Sequence, residues 1–318
     1  MRCSYKFIND VTPAAVHALS NLDGIRLYHE RQEKRHPLGI YNLTLTEVLD
    51  KTSALLTLYE EANHGLPYLD PNKSDWDESI LNATNSLLYS IMNHLDGYKS
   101  IISCFFEDQT SKDANKVMRN IARGIRPYRD NVAKIVNSLK HKQTCLSPFY
   151  FHCPGVFVLG YFVEGVQPSG AIGPDPSVHK GGNVAISYNR DLPFHVCGLY
   201  YCSSVLANNI YQVFGVVSSD SPKGVNVQLE EVLKRISVLP MTFFPDEVNK
   251  PTPFVKYKPA SQNKGFIVTM EIPLKNCKAK TIPRGCRAKA KWKGDGSSRT
   301  FKLPYLGADI DDKGASDN

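Results

Sequence analysis

The chain has 318 residues, of which 42% are hydrophobic and 22% charged, with a formal net charge of +7. That length supports two domains with sizeable cores, and the composition is ordinary for a globular protein. The mild positive charge permits a nucleic-acid or other anionic partner without demanding one. The longest nearly apolar run, Val156 to Val163, is far too short to span a bilayer, which excludes a membrane helix there. The N-terminus lacks the apolar core of a signal peptide. Eight scattered cysteines without a CxxC pair read as reduced, mostly buried thiols, and hence as an intracellular, cytoplasmic chain.

Residues 1–40 carry little pattern. Thr12-Pro13 before Ala-Ala-Val-His suggests a short helix capped by Thr12. Arg31 and His36 lie in a charged patch stopped by Pro37, and the spacing reads as a solvated segment. Residues 44–63 are helical, with Val48, Leu49, Leu55, Leu56 and Leu58 on the apolar side. A long helix is expected from Ser74 or Asp75 to about Phe106, with Asp96-Gly97 as a point of kinking or division. Residues 111–126 form a further helix, on which Arg119, Arg123 and Arg126 lie close together. Their default reading is a solubilising surface, and phosphate binding is the functional alternative. Pro127 is expected to break or kink this pattern.

The stretch from Tyr128 to Lys142 is the centre of the chain. Ile135, Val136 and Leu139 fall within about 60° of Val132 at 100° per residue, so that face is buried. Asp130, Lys134, Asn137 and His141 share the opposite side, with Asp130 and Lys134 in the favourable order for a helical ion pair. A polar stripe is first of all a solvated face. It also holds an imidazole, a group able to donate or accept a proton, with an amide one turn before it to orient the ring or hold a phosphate oxygen.

Asn137-Ser-Leu-Lys-His141 resembles the end of the R-N-x-x-x-H motif of HEPN domains, over residues 40–143 at most. The resemblance implies an all-helical fold, frequent dimerisation and metal-independent RNA cleavage, as in prokaryotic toxin and defence proteins. The motif's Asn and His match Asn137 and His141, whereas Val136 stands in the Arg position. The missing cation would have to come from Lys134 or Arg129.

After Gln143 the texture changes. Residues 149–163 are aromatic and β-branched, punctuated by Pro154-Gly155, and read as two strands or a strand and a bulge. A Gly/Pro-rich loop covers 165–183, and Val184 to Tyr188 read as a strand. Asp191 looks like the N-cap of a helix running to about Val213, with His195 as a packing or capping residue. Gln228 to Val238 form another helix. Phe254 to Tyr257, Phe266 to Ile272, Ile282 to Lys293 and Thr300 to Leu303 read as strands.

Between Lys275 and Lys302 there are ten Lys or Arg and one acid. Alternation along a strand puts Arg287, Lys289, Lys291 and Lys293 on one face. Such a face is either a lysine-protected sheet edge or a platform for a nucleic-acid backbone. His141, Cys145, His152 and Cys153 crowd one segment, but their spacing fits no standard zinc knuckle, so no metal or cofactor is expected. Walker-type GxxxxGK[ST], GxGxxG, HExxH and GxSxG motifs are absent.

The expectation is an α+β chain. It comprises an unassigned segment 1–40, a HEPN-like helical bundle 41–143, a mixed, mainly antiparallel β domain with one or two helices 144–306, and a disordered acidic tail 307–318. Two functional classes remain open. One is an RNA-directed protein, a metal-independent ribonuclease using His141, Asn137, Lys134 and Arg129, with RNA held by Arg123, Arg126 and the basic strand. The other is a non-catalytic binding or adaptor module whose helical bundle is the partner surface, as a homodimer or with another protein.

Overall fold

The computed structural model describes residues 1, 3–22, 27–65, 75–142, 144–153, 156–168, 170–180, 183–215, 227–247, 250–260, 265–273 and 287–290. In chain order its elements are β1 (Cys3–Ile8), α1 (Ala14–Ser20), α2 (Pro37–Gly65), α3 (Asp75–Ser103), α4 (Lys112–His141), β2 (Leu146–Cys153), β3 (Val156–Val166), β4 (Ile172–Pro174), β5 (Ile186–Ser187), α5 (Tyr188–Phe214), α6 (Val227–Ser237), β6 (Phe254–Pro259), β7 (Phe266–Ile272) and β8 (Arg287–Ala290). Single 3-10 turns lie at Glu30–Gln32 and Pro245–Glu247. The fold is α+β with antiparallel sheets. Among the described residues, no helix is long and apolar enough to cross a membrane.

The chain forms two compact units that interleave along the sequence. One comprises Met1–Val136, Leu192–Leu239 and Pro253–Leu274; the other comprises Asn137–Asp191, Pro240–Thr252 and Lys275–Asn318. A single sequence boundary at 143/144 cuts the chain once, whereas these units exchange chain at several points.

The first unit is mainly helical. Glu47 meets Asn93, Thr44 meets His94, and Tyr41 stacks against Tyr98, so α2 and α3 run antiparallel. Tyr41, Val48, Leu55, Leu56, Leu88 and Ile91 are all buried between these helices and their neighbours. Pro37 is the first residue of α2 rather than a stop, a position where its missing N–H is harmless. Helix α3 runs unbroken through Asp96 and Gly97. Helix α4 likewise continues through Pro127, which corrects the expected break. Pro127 sits on the exposed side, while its neighbour Tyr128 is fully buried and anchors the helix there.

The same unit contains a three-stranded sheet in the order β1-β7-β6. Strand β1 has no counterpart in the sequence reading. It pairs from Cys3 with Ile272 to Ile8 with Ile267, so its partner lies at the far end of the chain. The short N-terminal helix α1 begins after Pro13, and Asp10 rather than Thr12 supplies the local turn by accepting the Thr12 N–H. Cys3, Cys104, Cys197 and Cys202 are buried free thiols in this unit.

In the second unit, β2 and β3 form an antiparallel hairpin from Leu146 with Val163 to Cys153 with Val156. Strand β3 also pairs with β4 and with β5. Phe149, Phe151, Leu159 and Tyr161 are buried. On its other edge β2 pairs with β8, with Tyr150 opposite Lys289 and His152 opposite Arg287. Asp191 is not an N-cap, because α5 begins three residues earlier, at Tyr188. Its carboxylate instead accepts the buried Tyr161 hydroxyl at 2.7 Å.

Candidate functional site

Helix α4 carries six of the residues singled out by sequence. Arg123, Arg126, Lys134, Asn137 and His141 are exposed, and Val132, Ile135 and Val136 are buried, as the amphipathic pattern requires. Val136, in the position where the HEPN motif has its Arg, is only 2% exposed and points into the core. Asp130 and Lys134 do not form the expected ion pair. Both are exposed, where such a pair gains only about 0.2–0.5 kcal/mol against the entropy of holding two side chains.

Arg129 is only partly exposed, and its guanidinium donates to Asp96 of α3 at 3.1 Å. Arg129 and His141 lie twelve residues apart on α4, or about 18 Å along a helix axis. They do not converge on one phosphate. Lys134 is nearer, seven residues from His141, or about 10 Å. Lys291 and Lys293 lie outside the described residues. For Arg287 and Lys289 the register on β2 is defined. The tail 307–318 and the expected strand Thr300 to Leu303 also lie outside the described residues.

The structure groups a different set. Between α3 and α4 runs a groove of about 660 Å³. Leu95, Ile102, Met118, Ile121, Ala122 and Ile125 form its apolar floor. Lys99, Arg119 and Arg126 stand exposed on its rim, and among the described residues none of them has a carboxylate within ion-pair distance. The Arg129–Asp96 pair and Asp130 lie at one end. Arg119 and Arg126 were legible as a cationic cluster. Lys99 and the α3 side of the floor, Leu95 and Ile102, were not, because no local spacing shows which face of α3 meets α4.

Two polar clusters in the second unit were also missed. In the first, Asp175 is almost wholly buried and its carboxylate accepts from Ser138, Lys142 and Ser177. Burial alone would raise its pKa, but the Ser177 and Lys142 hydrogen bonds and the Lys142 charge lower it to about 2. Because the folded value lies below the ordinary 3.8, the contribution is complete above pH 3.8 and is lost as pH falls toward 2. Asp175→Asn is expected to cost about 2 kcal/mol at pH 6. Urea unfolding of the two proteins should converge as the pH approaches 2, and a constant gap would show that the carboxylate charge is not what stabilises.

The second cluster latches the segment around Pro245–Glu247 onto β5 and the start of α5. Glu247 accepts from the Ser187 and Phe244 N–H groups at 3.1 and 3.2 Å. Burial raises its pKa to about 7, against the lowering effect of Arg190 and the Ser187 bonds. Asp246 accepts the Val184 N–H, and Asn189 donates to Thr242. In each bond a side chain of one segment meets the backbone or side chain of another or of its own turn, which fastens the segments together as a structural latch. Among the described residues no three His, Cys, Asp or Glu side chains gather as a metal site. His195, on α5, shares a hydrogen bond with the Tyr128 hydroxyl at 2.9 Å and is buried, in keeping with a packing role.

Fold and site together define an α+β protein with a cation-rimmed apolar groove on its helical unit. No protein-family model, no curated protein and no solved structure matches the chain.

Proposed function

We propose that the protein is a non-catalytic binding module whose helical unit is the partner surface, with the α3–α4 groove as the contact site. The observation that carries this reading is the groove's construction. Three exposed cations, none with a carboxylate within ion-pair distance among the described residues, border it, an arrangement suited to recognising an anionic partner. The fold itself specifies no function, so the reading rests on this site. Val136 lies in the core and Arg129 is bound to Asp96, which leaves Lys134, about 10 Å from His141 along the helix axis, as the other cation named for the HEPN-type mechanism.

A second reading is RNA-directed: a metal-independent ribonuclease in which His141 moves the proton and Asn137 orients it. Its support is the exposure of both side chains one turn apart on α4. RNA cleavage with EDTA present, by the parent and by His141→Ala, separates the two. The binding-module reading expects no cleavage that depends on His141. Cleavage present in the parent and lost in His141→Ala would overturn it in favour of the ribonuclease.

A further inference from the structure

We infer that Cys3 and Cys197 are a reversible redox pair, which a hydroperoxide closes to a disulfide that fastens β1 to α5. The inference concerns the interior of the helical unit and does not depend on what the groove binds. Cys3 is the first residue of β1, and Cys197 lies on α5. Both are buried free thiols, 194 residues apart in sequence. The Cys3 thiol donates to the Cys197 carbonyl at 3.9 Å, and the Cys197 thiol donates to the Cys3 sulfur. Direct contact of the sulfurs is what a disulfide needs, because cysteines held apart are not bridged without backbone movement.

The chain after Cys3 follows the same helix. Tyr5 shares a hydrogen bond with Ser204 at 3.3 Å, and Phe7 packs on Tyr200. The Tyr200 hydroxyl donates to the Val11 carbonyl, and the Ala15 N–H donates to Ser203 at 2.9 Å. On its other side Cys3 pairs with Ile272 of β7. The pair therefore sits at a seam that is already held along its length, and the bond forms without a new docking step.

The two sulfurs differ in character. The hydrogen bond from Cys197 holds the Cys3 thiol below its usual range, although burial pushes it up. The same bond, together with burial, pushes the Cys197 thiol well up. Cys3 is therefore the attacking group, because the thiolate is the reactive form. Cys3 is also 5% exposed on β1, an edge strand among the described residues, and so keeps contact with solvent. Its sulfur attacks one peroxide oxygen and the O–O bond breaks. The departing oxygen leaves as water with the Cys3 proton, and Cys3 becomes a sulfenic acid. The Cys197 sulfur then attacks the Cys3 sulfur. The S–O bond breaks, the hydroxyl leaves as a second water with the Cys197 proton, and the S–S bond forms. The peroxide gains the two electrons that the thiols lose.

The test treats the full chain with hydrogen peroxide, alkylates the remaining thiols under denaturing conditions and maps the peptides by tandem mass spectrometry. Cys3 and Cys197 should appear in one cross-linked peptide that dithiothreitol separates. Cys3→Ser and Cys197→Ser should each abolish that peptide. Cys202, fully buried on the same helix with a thiol raised by burial, is the control. Cys202→Ser should leave the yield of the cross-link within about twofold. A bond between residues so far apart restricts the unfolded chain, so the oxidised parent should melt about 5 °C or more above the reduced parent. Cys3→Ser should show no such rise.

The link is mapped on the parent, so a variant that fails to fold leaves the test intact. The Cys3–Cys197 link together with the higher midpoint supports the inference. A disulfide that joins either residue to another cysteine would overturn it. So would oxidation of Cys3 beyond the sulfenic acid without a link, because Cys197 would then not be the resolving thiol. Failure of both thiols to react would overturn it as well, and so would a link that lowers the midpoint or leaves it unchanged.

Discussion

Acidification from pH 6.5 toward 3 is expected to destabilise the helical unit by up to about 5 kcal/mol through one histidine, His94. His94 is 1% exposed on α3, and its burial lowers its pKa from 6.5 to about 3. Thr44 Oγ1 donates to the Ile40 and Tyr41 carbonyls, so the His94 Nδ1–H donates to Thr44 at 2.8 Å. That leaves Nε2 as the acceptor facing the Tyr98 hydroxyl at 3.4 Å. A second proton on the ring would turn Nε2 into a donor and put a charge in the core between Tyr41 and Tyr98. The folded state therefore binds this proton more weakly than the unfolded chain does. Stability is complete above pH 6.5 and falls by about 1.4 kcal/mol for each pH unit below it until the folded pKa is reached. His179 in the second unit, also lowered by burial, to about 4, acts with the same sign there. The assay is urea unfolding followed by far-UV circular dichroism between pH 7 and 4.5. His94→Gln should be less stable than the parent at pH 7, from lost packing, yet show a much shallower decline with acid. An unchanged slope would mean that His94 is not the group being titrated.

Much of the helical framework was legible because its signals are local. The apolar spacing of Val132, Ile135 and Val136, and of Leu229, Val232, Leu233 and Ile236, needs only the period of a helix, and all of these residues are buried. The hairpin of β2 and β3 announced itself through aromatic and β-branched residues on either side of Pro154-Gly155. Strand β1 did not, because Cys3 to Ile8 acquires its identity only from β7, more than two hundred residues away. Pro127 misled for a different reason. Its local cost argues for a break, but Tyr128 and His195 fix α4 through packing that a local rule does not contain. The groove followed the same division. Arg119 and Arg126 are visible on one helix, whereas Lys99 and the Leu95–Ile102 floor become part of a site only once α3 and α4 are side by side.

Gly198→Ala is expected to disrupt the packing of α4 against α5. A Cβ on Gly198 of α5 would lie 2.2 Å from the Tyr128 ring of α4, far inside contact distance. Gly124 of α4 plays the reciprocal part, with a built Cβ 2.6 Å from Val205 of α5. The pairs Gly124–Val205 and Tyr128–Gly198 show that the two helices run antiparallel here, each supplying a glycine where the other supplies bulk. Tyr201 reinforces the approach by donating to the Gly124 carbonyl at 2.9 Å. The two sites should nevertheless respond differently. A Val205 methyl group can give way by a rotamer change or a small shift of the helix. Tyr128 is fully buried, packed on Phe194, and held through its hydroxyl by His195, so its ring has no ready escape. Overpacking of this kind costs about 1–3 kcal/mol, and Gly198→Ala belongs at the upper end, with Gly124→Ala below it. Denaturant midpoints of both variants test the order, and Gly198→Ala paired with Tyr128→Leu tests the cause. Relief of the glycine penalty in the double variant, measured against Tyr128→Leu alone, would tie it to the ring. Equal costs for both glycines would instead point to backbone entropy.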